Sequence, residues 1–412
     1  MILDDLENKS KEVEHLKITD LKAITLGRVS IIRIDTDEGI YGYGEAHCPK
    51  QQVIPLKRFI LGEDPTNVEK VMKKIRFRGA FKPFGSQISA IEIALWDIAG
   101  KAAGLPVYKL LGGKVRDKVR VYCDCGAGVL WDPDDPTSAY SPEAYAEKAR
   151  RRMKMPQGFT ILKFDIGFHG SHGGQLLSVH GGSYEAEDLY PTKGHVTERG
   201  LKAEIACVEA IKDVLGDKIG LAVDCGPGQS LPSAIKLAKA LEPFNLLWAE
   251  DLLTGDYTPY TDPEAYRILT SSTVTPILTG EQIYLRHGFR DLIEQHAVDI
   301  VAPDICDVGG LAEAKWIAEF ADLYGLLIAP HNVGLPIVFM ANVHTAAAMP
   351  QNFIAFEFHS VDIPWWEDIV KGLEKPMIKD GFVNVPDSPG LGIELNEKVM
   401  RKHLSEGEKY FE

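Results

Sequence analysis

Long apolar runs are missing from this sequence. No stretch reaches the roughly 18 apolar residues of a membrane-spanning helix, so no span is expected. The opening residues, Met1-Ile-Leu-Asp-Asp-Leu-Glu-Asn-Lys9, carry charge where a secretory signal would carry its apolar core, and no export is expected. Basic runs are missing too. Lys and Arg total 45 against 59 Asp and Glu, a formal net charge of −14. That balance disfavours nucleic acid and anionic membranes as partners. It also means that an anionic substrate needs a metal, or local Lys and His, to offset repulsion. Cysteine is scarce, with six in 412 residues, several of them inside strand-like runs. Cys123-Asp-Cys125 is not a zinc spacing, and no second Cys/His pair accompanies it. Reduced thiols in a cytoplasmic protein fit this usage better than a disulfide framework.

The chain is too long for one ordinary core, so two domains are expected. Residues 17–47 alternate as antiparallel strands do, with an Asp37-Glu-Gly39 turn before Ile40-Tyr-Gly-Tyr-Gly-Glu45, and predict a hairpin. Apolar residues at helical spacing predict a helix over 86–101. A first α+β unit therefore covers about residues 1–118. From 119 the pattern becomes strand–helix alternation. Strands are predicted at 119–125, 159–166, 219–224, 246–251, 276–283, 300–305, 326–331 and 354–359. Eight βα units of 25–30 residues make a closed parallel barrel, here over 119–380. Residues 381–412 are expected to return to the first unit.

Three barrel strands end in an acid: Ile219-Gly-Leu-Ala-Val-Asp224, Leu246-Leu-Trp-Ala-Glu250 and Pro276-Ile-Leu-Thr-Gly-Glu281. A buried strand ending in a carboxylate is costly unless the group is paired or ligated. Three such ends converge if the sheet closes, and oxygen donors of this kind suit Mg²⁺. Other strand ends carry Lys163 and Asp165, on one face because strand side chains alternate, then Asp304, His331 and Glu357. Taken singly, Lys163 reads as a surface amine, Asp304 as a helix cap and His331 as a satisfied histidine. The order Lys/Asp, Asp, Glu, Glu, Asp, His, Glu along successive strand ends carries the weight. A Gly- and His-rich insertion follows the second strand, with His172, His180, Tyr184 and His195. Long loops at this face of a barrel usually serve substrate.

That order resembles the enolase superfamily, and within it the mandelate racemase-like subgroup that contains many acid-sugar dehydratases. The resemblance extends to Thr36-Asp-Glu-Gly39, Gly42-Tyr-Gly-Glu45, Ala94-Leu-Trp-Asp97, Leu110-Leu-Gly-Gly-Lys-Val-Arg116, Gly309-Gly310 and Pro330-His331-Asn332. It implies an α/β fold, a modified (β/α)7β barrel beneath an α+β capping domain. It implies Asp224, Glu250 and Glu281 as Mg²⁺ ligands, with Asp304 supporting His331 as general base. It further implies an acid-sugar substrate, and a homo-oligomer such as a dimer or octamer. Capping-domain loops near 22–28 and 46–54, including His47, would then set specificity. Trp365 and Trp366 either line the site or pack at the domain boundary.

Abstracting a proton α to a carboxylate builds charge on the substrate's oxygens, which a divalent ion and a cationic Lys163 offset. Histidine titrates in the range a general base needs, and Glu357 is placed to hydrogen-bond the substrate carboxylate. One departure matters. Many relatives carry Lys-x-Lys on the second strand, where this chain has Lys163-Phe-Asp165; others carry a His two residues after the first metal ligand, where this chain has Gly226. The acid opposite His331 is therefore Lys163, Asp165 or a residue of the insertion. A racemase needs competent bases on both faces, whereas a dehydratase can use His331 alone. The sequence thus favours a dehydratase making a 2-keto-3-deoxy acid. The rivals are an epimerase or cycloisomerase working through the same enolate, and a non-catalytic metal-binding barrel.

Overall fold

The computed structural model describes residues 16–77, 85–128, 141–167, 196, 198–226, 229–253 and 261–412. The insertion's histidines and Tyr184 lie outside them. No helix among the described residues is long and apolar enough to cross a membrane.

The first unit is a three-stranded antiparallel sheet, β1 (Ile18–Leu26), β2 (Val29–Thr36) and β3 (Tyr41–Ala46), packed on helix α1 (Ser86–Ala103). Two glycines allow the close approach. A Cβ at Gly42 or Gly44 would strike the Ala94 or Ala90 carbonyl of α1, so a side chain at either position would push the sheet off the helix. The predicted hairpin is β2–β3, and β1 extends it to a third strand.

All eight predicted barrel strands form, and all but β4 are shorter than the sequence suggests. They are β4 (Lys118–Asp124), β5 (Ile161–Asp165), β6 (Gly220–Asp224), β7 (Ala249–Glu250), β8 (Ile277–Thr279), β9 (Ile300–Val301), β10 (Leu327–Ile328) and β11 (Phe356–Phe358). They pair in parallel from β4 through to β10, and β11 lies beside β4. The ring closes where the Ile354 amide donates to the Ile328 carbonyl and the Glu357 amide to the Pro330 carbonyl. Seven strand–helix units and a final strand make the barrel, not eight units. The chain after β11 turns into short 3₁₀ segments and leaves for the capping sheet. There the Leu391 amide donates to Asp97, the Ser405 amide to the Thr25 carbonyl, and the Thr25 amide to Glu408.

Period-two alternation places the chemistry. The barrel interior is filled by Tyr122, Ile161, Ala222, Trp248, Leu278, Ala302, Ala329 and Ala355. The inward residue two positions later on each strand lies one layer nearer the mouth. Those residues are Asp124, Lys163, Asp224, Glu250, Gly280, Asp304, His331 and Glu357. The filled interior is an apolar plug; the layer above it is almost entirely ionisable. At β8 the layer position is glycine with φ +148°, where a Cβ would meet Phe289 and Ala302, and the next residue, Glu281, supplies the carboxylate. The outward residues Val223, Ala249, Ile277, Val301, Ile328 and Phe356 are buried in the main core.

Candidate active site

The layer above the plug floors a cavity of about 540 Å³. Asp224, Glu250 and Glu281 converge there, with one oxygen from each within 4.8 Å of the others. Oxygens that close fit a small divalent cation, whose bonds to oxygen run from about 2.0 Å for Mg²⁺ to about 2.5 Å for Ca²⁺. Asp224 is steadied by the Gly226 amide at 2.8 Å, and Glu250 by the indole of Trp248 at 3.0 Å. Burial pushes the Glu250 carboxyl pKa up, Lys163 draws it back, and Asp224 and Glu357 raise it again. A buried carboxyl whose pKa is raised by neighbouring carboxylates is one that a cation would relieve.

Lys163 is buried on the floor. Its ammonium lies 2.9 Å from Glu250, 3.1 Å from Glu357 and 3.9 Å from Asp224. Burial alone would favour the neutral amine, but Glu250 and Glu357 outweigh it and hold its pKa well above the ordinary lysine value. The reading of Lys163 as a surface amine is thereby excluded. Glu357 is fully buried and accepts from the hydroxyl of Tyr122 at 3.0 Å.

His331 stands on the flank of this group. Its Nδ1 is 2.7 Å from Asp304, and its Nε2 is 3.2 Å from Glu281 and 3.6 Å from Glu357. Asp304 both caps the helix that follows it and pairs with His331. One oxygen accepts from the Cys306 amide at 2.6 Å while the other holds His331. Burial opposes charge on His331, but Glu281, Glu357 and Asp304 outweigh it and raise its pKa well above the ordinary histidine value. Asp165, the second strand-end residue of β5, also lines the cavity.

The capping side contributes His47, Cys48, Pro49 and Gln52, so the 46–54 loop does face the cavity. The 22–28 loop does not; it is the β1–β2 turn and binds the C-terminal segment, with the Gly27 amide donating to Ser405. Trp365 and Trp366 pack instead of lining the site. Trp366 is buried against Phe339 and Phe358, and Trp365 stacks on His403. Among the lining residues not singled out from sequence are Asp124 and His359, whose Nε2 is 3.3 Å from the Asp124 carboxylate. The link between them is long-range and appears only in the register of the closed sheet. Phe358 pairs with Cys123, which sets His359 beside Asp124 at the same strand end. Glu45 was noted only as a motif residue. It is buried beneath the first turn of helix α2 (Pro336–Ala348), accepting from the Leu335 amide at 2.7 Å.

Comparison with known proteins gives two domain matches. Residues 15–112 match the N-terminal domain of mandelate racemase and muconate lactonizing enzyme, and 144–399 match the enolase C-terminal domain-like family. The chain belongs to the mandelate racemase subgroup of the enolase superfamily. A D-xylonate dehydratase from Haloferax volcanii is 35% identical over 99% of this chain and 94% of its own length. A D-galactonate dehydratase family member from Musicola paradisiaca is 28% identical over 95% of each chain. Among solved structures, a mandelate racemase/muconate lactonizing enzyme-like protein from Rubrobacter xylanophilus is 34% identical. It superposes with a TM-score of 0.84 over 97% of this chain and 100% of its own. Membership of the superfamily accounts for both the capping sheet and the incomplete eighth unit of the barrel.

Proposed function

We propose that this protein is a hydro-lyase that removes water from an aldonic or aldaric acid. The observation that carries the reading is the His331–Asp304 dyad beside three converged carboxylates, with Lys163 held in ion pairs beneath them. Asp224, Glu250 and Glu281 would hold a divalent cation, Mg²⁺ in our assignment because every donor is a carboxylate oxygen. When bound, it supplies electrophilic stabilisation to the charge that builds on the substrate's carboxylate.

The chain's own residues do the rest. Asp304 accepts from Nδ1 of His331, which leaves Nε2 as the atom that meets the substrate's α-hydrogen. Lys163 sets positive charge at the cavity floor, so the substrate's carboxylate end lies deep and its carbon chain runs outward. Once the α-proton has moved to His331, the β-hydroxyl leaves as water with a proton from an acid. The resulting enol becomes a 2-keto-3-deoxy acid. The names of the relatives support this substrate class: the Haloferax protein is a D-xylonate dehydratase and the Musicola protein a member of the D-galactonate dehydratase family.

Racemisation would need a second base on the other face. Lys163 is engaged by Glu250 and Glu357, and the residue two past Asp224 is Gly226. A barrel that only bound a metal would not need a hydrogen-bonded imidazole–carboxylate pair over it. Incubation with Mg²⁺ and a panel of aldonates and aldarates tests the proposal. Formation of a semicarbazide-reactive 2-keto acid supports it, and an epimer with no keto acid overturns it.

A further inference from the structure

Resting on the dehydratase reading, we propose that His359, held by Asp124, is the acid that protonates the departing β-hydroxyl. Dehydration moves two protons at two carbons. His331 is placed for one of them. Lys163 lies on the floor among Glu250, Glu357 and Asp224, at the level of the substrate's carboxylate and below its β-hydroxyl.

Among the described residues two imidazoles besides His331 line the cavity: His47 on the capping side, 3.9 Å from Asp307, and His359 on the barrel, which makes the shorter carboxylate contact. Its Nε2 lies 3.3 Å from Asp124, which is itself buried and fixed by the Gly126 amide at 3.0 Å. That pairing leaves Nδ1 as the nitrogen that can meet substrate. The ring is half-exposed, so it can regain a proton from solvent after each turnover.

Its height in the barrel is the second argument. His359 follows Glu357 by two residues and therefore projects from the same face of the chain, about 6.5 Å nearer the mouth. Glu357 is level with Lys163 and His331 Nε2. A substrate whose carboxylate meets Lys163 has Tyr122 and Trp248 beneath it, so its carbon chain must run outward. The β-carbon and its hydroxyl then rise toward the level of His359.

The step balances without a further reagent. The α-C–H bond breaks and its proton passes to Nε2 of His331. The electron pair forms the Cα–Cβ double bond as the Cβ–O bond breaks. The leaving oxygen takes the Nδ1 proton of the His359 imidazolium and departs as water. Asp124 is a positioning residue, since it holds Nε2 and keeps the ring turned.

A leaving group that needs no proton separates this role from a structural one. His359→Asn should lower kcat for the hydroxyl substrate about 100-fold or more. The same variant should eliminate fluoride from the matching 3-deoxy-3-fluoro acid within a few-fold of wild type, and should still exchange the α-hydrogen in D₂O. Asp124→Asn should fall between the two proteins on the hydroxyl substrate. Unchanged dehydration by His359→Asn, or equal losses with hydroxide and fluoride as leaving groups, overturns the assignment. If the wild-type protein neither exchanges nor dehydrates any acid sugar, the dehydratase reading itself fails.

Discussion

Nδ1 of His331 lies 2.7 Å from one oxygen of Asp304, and the other oxygen of Asp304 accepts from the Cys306 amide. The carboxylate is thus fixed at both ends before it meets the imidazole. Asp304→Asn keeps the shape and loses the charge that stabilises the protonated ring. We expect kcat on an aldonate substrate to fall about 100-fold or more, while calorimetry finds Mg²⁺ binding within a few-fold of wild type.

Asp224, Glu250 and Glu281 crowd three carboxylates into one cup. A divalent ion that binds only the folded protein raises stability by mass action, about 2.7 kcal/mol at a hundred times Kd. Thermal unfolding with EDTA and then with Mg²⁺ should show that gain. Asp224→Asn keeps the acceptor that receives the Gly226 amide and should lose most of the increment.

Lys163 is the buried cation between Glu250 and Glu357. Removing one member of a buried ionic group leaves uncompensated charge and costs about 3–5 kcal/mol. Lys163→Met should therefore unfold at lower urea in EDTA by an amount of that order. An unchanged midpoint would mean that Glu250 and Glu357 do not rely on this ammonium.

The site could be read from sequence where a local rule sufficed. Asp224, Glu250 and Glu281 each follow an apolar strand, and burying an acid there makes no sense without a partner. Lys163 and His331 followed from the same alternation. Asp124 escaped because it sits between two cysteines and the motif was weighed as a thiol pair. His359 escaped because its partner lies on the first barrel strand, joined to it only when the ring closes. The 22–28 loop was assigned to the cavity in error for a related reason. The segment that holds it, around Ser405 and Glu408, is some 380 positions away, and no local pattern announces the contact. Strand spacing alone suggests eight βα units because it does not say whether a helix follows the last strand; the seven units and final strand that the family resemblance implies are what the structure has.

His344 in α2 is a buried histidine outside the site, with its ring stacked on Tyr108. Burial lowers its pKa to about 4 from an ordinary 6.5. The unfolded chain therefore binds a proton that the folded chain refuses between those values. Its contribution is fully present above about pH 6.5 and is lost as the pH falls toward 4, at most about 3 kcal/mol. Urea midpoints between pH 7 and 4 should fall less steeply in His344→Gln than in wild type, once both are referred to their own pH 7 stability.

The most direct test of the whole account follows the α-hydrogen itself. Wild type and His331→Asn, each shown by calorimetry to bind Mg²⁺, are incubated with an aldonate that wild type turns over, in D₂O, and the α-proton signal is followed by NMR. The account predicts that wild type removes the α-proton and forms the 2-keto-3-deoxy acid, while His331→Asn does neither at a measurable rate. Loss of the α-proton by His331→Asn at the wild-type rate would contradict it.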